Sequence, residues 1–193
     1  LAADSAVLLK NSGVLPLSGK EHVVVIGELF EKMRYQGAGS SGMNPTQLVS
    51  PKDAFDRAGI NYTYLPGYHV NSAQTDKDWA DQAVTSAFTA DVVLFFGGLT
   101  EVFESEGFDR KDLAIPACQL QLIDRLAQCG KEIVAVLFGG SAFELPLNDQ
   151  VNAILHMFLP GQGGGEACRR LLYGEVNPSG KLTDTFAAAF ADA

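Results

Sequence analysis

Ten residues in the middle of the chain, Glu101-Val102-Phe103-Glu104-Ser105-Glu106-Gly107-Phe108-Asp109-Arg110, hold its densest set of groups able to move protons. They follow an apolar run, Val92-Val93-Leu94-Phe95-Phe96-Gly97-Gly98, of the kind that forms a buried strand. In open α/β sheets ligands sit outside the carboxyl ends of the strands, so an acidic loop at this place is a candidate site. A carboxyl group packed beside Phe103 or Phe108 would lose hydration, and its pKa would rise toward values suited to proton donation near neutral pH. Glu104 and Glu106 are separated by one residue, so in an extended loop both could point the same way, and spacing does not choose between them. Gly107 favours Glu106, because a glycine allows the tight turn that aims the preceding carboxyl into a cleft. Glu104 is then a supporting hydrogen-bond partner or merely solvated, and Asp109 and Arg110 pair to brace the loop. The plainer alternative is an acidic loop that is only solvated.

The elements that must position this loop follow from the hydrophobic pattern. Asp4 to Lys10 has helical spacing and a cap at Asn11-Ser12-Gly13. His22 to Ile26 is a β-branched strand, Pro51 to Ala58 a short helix with proline in its first turn, and Tyr62 to Leu65 a strand. Thr75 to Ala90 is an amphipathic helix, and its Trp79 is assigned to packing. After the strand at 92–97, a helix spans Pro116 to Cys129, a strand Glu132 to Phe138, and a long apolar strand Val151 to Leu159. Gly163-Gly164-Gly165 opens a helix from Glu166 to Tyr173, the glycines serving close helix–sheet packing rather than an anion. Leu182 to Phe186 is expected to be a final short strand. Helices alternating with apolar strands predict a three-layer α/β sandwich, a mostly parallel sheet of about six strands covered by helices on both faces.

Composition narrows the function. The 193 residues are 47% hydrophobic and 19% charged, with no internal repeat, which predicts one α/β domain over 1–193. A net charge of -9 argues against nucleic acid or an anionic membrane as partner. No apolar run approaches the roughly 18 residues that span a bilayer. The chain begins at Leu1 without an initiator methionine, which suggests a piece of a longer polypeptide. Cys118, Cys129 and Cys168 are odd in number and lack metal-ligand spacing. They read as packed or free thiols and favour a reducing, cytoplasmic setting over a secreted or periplasmic one. His156, inside an apolar strand, reads as a core residue. The run Gly37-Ala38-Gly39-Ser40-Ser41-Gly42 would let backbone approach a ligand, but it lacks the Lys-Ser/Thr ending of a P-loop. No metal and no cofactor is expected.

Six segments taken together resemble one family. They are Leu8-Leu9-Lys10-Asn11 with Leu15-Pro16-Leu17, the Gly37–Ser41 loop, Glu104-Ser105-Glu106-Gly107-Phe108-Asp109-Arg110, and Leu113-Ala114-Ile115-Pro116 with Gln119. Pro160-Gly161-Gln162 with Gly164, and Asn177-Pro178-Ser179-Gly180-Lys181-Leu182 with Thr185-Phe186, complete the set. In this order they resemble the second, α/β-sandwich domain of glycoside hydrolase family 3, which includes β-glucosidases and β-xylosidases. The resemblance implies a six-stranded sheet between helical layers, joined to a (β/α)8 barrel that carries an Asp nucleophile. Asp78-Trp79 is not that nucleophile, since it lies in an amphipathic helix of this domain. The family pattern places the acid/base on Glu106 and a sugar-contacting serine on Ser40, with a β-linked glucoside or xyloside as substrate. Thr183 and Ala142 stand where relatives usually carry proline, a difference of loop shape. The reading from another class is a non-catalytic α/β module that binds a small ligand or a partner domain through the same loops.

Overall fold

The computed structural model describes residues 1–192. Its centre is a six-stranded sheet in the order β1-β6-β5-β4-β2-β3. The strands are β1 Val7–Asn11, β2 Val23–Ile26, β3 Tyr62–Leu65, β4 Val92–Gly98, β5 Glu132–Phe138 and β6 Ala153–Phe158. Strands β2 to β6 pair in parallel, and β1 runs antiparallel along β6 at the edge. Every residue of β2 and β4 is buried, which a parallel sheet covered on both faces requires.

The helices are α1 Ala2–Ser5, α2 Pro51–Arg57, α3 Lys77–Ala87, α4 Ala117–Ala127 and α5 Gly164–Leu172. From β2 the chain crosses through α2 to β3, then returns through α3 past β2 to β4 and continues through α4 to β5. Crossovers between parallel strands are right-handed, so reversing the direction of travel reverses the face that the helix covers. Accordingly α2 packs with α5, and α5 with α1, while α3 and α4 pack together. The reversal falls between β2 and β4. Loops leaving their carboxyl ends diverge there and open a crevice, the usual ligand position in such sheets.

Two elements differ from the sequence reading. Residues 7–11 form strand β1 instead of continuing a helix from Asp4, and only Ala2–Ser5 is helical. A four-residue apolar run fits either period, and pairing with β6 decides it. Leu182 to Phe186 forms no strand; the sixth strand is β1. Phe186 instead packs its ring on Phe143 and His156. The glycine run that opens α5 does give close packing, but against a helix. A Cβ on Gly165 would lie 2.1 Å from the Ser50 carbonyl, at the capped start of α2. Trp79 packs its ring against His69, with centroids 4.0 Å apart and the planes tilted by 39°. Cys118, Cys129 and Cys168 are free thiols.

The end of β4 is fixed from two sides. Gly98 has φ +122°, and a Cβ there would sit 1.9 Å from the Phe138 carbonyl oxygen of β5, so only glycine fits. On the other side, Gln119 of α4 is 1% exposed and pairs with the same residue. The Gly98 amide donates to Gln119 Oε1 at 2.8 Å, and Gln119 Nε2 donates to the Gly98 carbonyl at 2.9 Å. A side-chain amide thus replaces a neighbouring strand where the acidic loop departs. Gln119→Leu leaves both buried groups of Gly98 unpaired and should lower unfolding free energy by about 2–4 kcal/mol in denaturant titration.

His156 of β6 is fully buried, and that burial pushes its pKa down to about 4 from 6.5. Its depressed value means that the unfolded chain takes up the proton first as pH falls. The stabilisation is complete above pH 6.5 and is lost as pH falls toward 4, by about 3 kcal/mol. His156→Leu should remove this component from the pH dependence of the unfolding midpoint.

Candidate functional site

Loops from the carboxyl ends of β2, β4 and β5 meet over the crevice, and Glu104 joins all three. The Gly140 amide, after β5, donates to its Oε2 at 2.8 Å, and the Ser141 hydroxyl donates to its Oε1. Arg34, after β2, brings Nη2 to 3.7 Å from Oε2, and the same nitrogen donates to the Glu104 carbonyl at 3.1 Å. Arg34 Nε donates to the Gln36 carbonyl at 2.8 Å, which folds the loop after β2 around the guanidinium. The two side chains are 14% and 8% exposed, so this is a largely desolvated ion pair. Arg34 Nη1 is buried and has no hydrogen-bond partner among the described residues.

Beyond Glu104 the chain makes a tight reversal. Ser105 and Phe108 pair across one antiparallel bridge, leaving Glu106 and Gly107 at the tip. Glu106 is therefore exposed, two residues from a carboxylate that is enclosed. Its partners come from the glycine-rich loop after β2. The Ser40 amide donates to Glu106 Oε2 at 2.7 Å, and the Ser40 hydroxyl lies 2.9 Å from Oε1 and 2.7 Å from Oε2. These bonds, the hydroxyl's first and then the amide's, hold the Glu106 carboxyl below its usual range.

The sequence reading expected the opposite shift, from an apolar contact with Phe108. Phe108 is 47% exposed, and the cleft is open on this side, so hydrogen bonds to the charged form outweigh desolvation. The expected Asp109–Arg110 pair also gives way to other contacts. Arg110 Nη1 donates to the Ser141 hydroxyl at 3.0 Å and the Ala142 carbonyl at 2.7 Å, and Nη2 reaches the Ala114 carbonyl at 3.4 Å. Arg110 thus stitches its own loop to the loop after β5, while Asp109 stays exposed on the cleft wall. Ser40 turns its hydroxyl to Glu106, in the position where the resemblance implies a sugar contact.

Between these loops lies a cleft of about 680 Å³, walled by Gly37, Ala38, Ser41, Glu106, Phe108 and Leu159 among others. An exposed carboxylate on such a wall can accept a proton, or give one once its pKa is raised. The structure brings Glu106 and Ser40 together and gathers Glu104 and Arg110 beneath them. Arg34, Gly140 and Ser141 were not foreseen as site residues. For the last two a signal existed, because Gly139-Gly140-Ser141 ends β5 as Gly97-Gly98 ends β4. Arg34, in a polar loop, had none.

Comparison with known proteins agrees with this architecture. The chain is 42% identical over 189 residues to the thermostable beta-glucosidase B of Acetivibrio thermocellus, covering 96% of this chain and 25% of that protein. It is 38% identical over 195 residues to an exo-alpha-(1->6)-L-arabinopyranosidase of Bifidobacterium longum, covering 95% of this chain and 26% of that one. Among solved structures, a GH3 beta-glucosidase of Bifidobacterium adolescentis superposes with a TM-score of 0.95 at 40% identity, covering 99% of this chain and 28% of the other. The chain thus spans about a quarter of the length of the relatives it matches. A profile of the glycosyl hydrolase family 3 C-terminal domain matches residues 6–193, and the chain belongs to that family.

Proposed function

We propose that this chain supplies the acid/base, Glu106, of a retaining β-glycosidase whose Asp nucleophile lies on a (β/α)8 barrel of the same polypeptide. The carrying observation is the exposed Glu106 carboxylate on the wall of a cleft at the β2/β4 switch point, in a domain of this family. Retaining enzymes need two carboxyl groups about 5–5.5 Å apart, one ionised and one protonated. Glu106 is one; the other comes from the barrel. In the first step the Asp carboxylate bonds to the anomeric carbon as the glycosidic C–O bond breaks, and the leaving oxygen takes the Glu106 proton. In the second, water attacks that carbon, Glu106 takes the water's proton, and the Asp–carbon bond breaks.

The open cleft favours the ionised form of Glu106, which suits the second step and not the first. Docking of the barrel would desolvate Glu106 and place a second carboxylate nearby, and both effects raise its pKa. The substrate is a terminal, β-linked glucoside or xyloside. Sugar choice rests mostly with the barrel.

The 193-residue chain by itself should show no turnover of aryl β-glucosides, because one carboxyl group cannot form the covalent intermediate. Turnover that survives Glu106→Gln would sink this. In the barrel-containing enzyme, Glu106→Ala should slow substrates with poor leaving groups far more than activated aryl glycosides, and azide should restore turnover of the latter. Its unfolding midpoint should barely move. Glu104→Ala should instead strand Arg34 without its counter-charge and cost roughly 3 kcal/mol of stability. If the leaving-group dependence and azide rescue belong to Glu104→Ala, the assignment is wrong by two residues.

A further inference from the structure

We propose that Ser40 and Gly39 form a positioning clamp on Glu106 that divides the work of its two carboxylate oxygens, Oε2 held by the loop and Oε1 left to exchange the proton. This rests on Glu106 being the acid/base. The geometry is asymmetric. Oε2 receives the Ser40 amide at 2.7 Å and is also the nearer oxygen, at 2.7 Å, to the single proton of the Ser40 hydroxyl. Oε1 receives no amide and lies farther from that one hydroxyl proton, with Oγ at 2.9 Å, so it is the less engaged oxygen. A proton carried on Oε1 leaves Oε2 a carbonyl-like oxygen that still accepts from Ser40, so the clamp persists through both chemical steps.

Gly39 is the other half of the device. Its φ is +77°, and a Cβ built on it would lie 2.5 Å from Glu106 Oε2 and 3.1 Å from Glu106 Cβ. The loop can therefore approach the carboxylate this closely only with glycine here. The need for a clamp follows from exposure. Glu106 sits at the tip of a reversal beside Gly107, and an unheld side chain there would sample several rotamers. Holding the reacting atom in one geometry lowers the barrier to its transfer step.

The surrounding charges leave the clamp as the dominant local influence on Glu106. The loop 37–42 carries no ionisable side chain, and neither do residues 139–142. Arg34 faces Glu104, and Arg110 faces Ser141 and Ala142. Asp109 and Glu104 share the cleft but do not touch the Glu106 carboxylate, whose lowered pKa traces to Ser40. Ser40 is thus a positioning residue that also biases Glu106 toward its base form.

The test uses the full-length enzyme with a β-glucoside of poor leaving group, which needs the Glu106 proton in its first step, and variants S40A, S40T and G39A. The alkaline limb of kcat/KM against pH reports the free-enzyme acid. S40A should move that limb upward and lower kcat about tenfold, the scale of one hydrogen bond to a charged group. S40T, which keeps the hydroxyl, should restore the limb. G39A should shift it in the same direction as S40A. An S40A enzyme with an unmoved limb and a loss confined to KM would overturn the clamp and favour a direct contact between Ser40 and the sugar. Azide rescue of E106A, run beside these with an activated aryl β-glucoside, separates the two claims. With rescue and no limb shift only the clamp fails; without rescue the Glu106 assignment itself fails.

Discussion

The buried pair of Glu104 and Arg34 is the contact on which the geometry of the site depends. A carboxylate enclosed at 14% exposure must have its lone pairs filled, and the partners available come from two other loops. Satisfying one charge therefore ties together the loops after β2, β4 and β5. Removing a partner would leave the other charge buried, so the arrangement resists drift more strongly than its modest net stabilisation suggests. Arg110, bonded to Ser141 and Ala142, adds a second stitch between two of them, the loops after β4 and β5. The tip with Glu106 then hangs from a fixed base although it is itself exposed.

Two glutamates separated by one residue thus acquire opposite characters from their surroundings. Glu104 is enclosed by an arginine, an amide and a hydroxyl; Glu106 faces the cleft and meets only Ser40. The bridge between Ser105 and Phe108 makes the difference, because it turns the chain between them instead of letting both side chains project alike. Sheet topology sets the stage for this. The loops that carry Ser40 and Glu106 leave neighbouring strands, β2 and β4, toward opposite helical layers. They can meet only above the switch point.

Much of this was legible in the sequence, and the gaps have physical causes. Strands such as Glu132–Phe138 are long apolar runs with clear boundaries, and their alternation with helices dictates a layered α/β fold. Residues 7–11 were misread because a short apolar run fits two periods, and the deciding contact with β6 is some 145 residues away in sequence. Gln119 was noticed only as part of a motif; its pairing with Gly98 is tertiary and leaves no local mark. The turn that exposes Glu106 was legible from Gly107, whereas the direction of its pKa shift was not. That direction depends on whether Phe108 covers the carboxyl or Ser40 bonds to it, which is settled by the path of a loop 66 residues upstream.

That direction bears on why such a reaction would be divided between two domains. A proton donor needs a raised pKa, and the open cleft supplies hydrogen bonds that lower it. No group within the described residues reverses this, since the only nearby apolar ring is half exposed and the nearby cations are engaged by Glu104, Ser141 and backbone carbonyls. On the proposed reading, the missing contribution is the low-dielectric wall and negative charge of the barrel face. The acid would then come into existence only when the nucleophile is in place. An open domain holding an ionised, clamped glutamate is the resting half of that arrangement, already oriented and not yet charged with its proton.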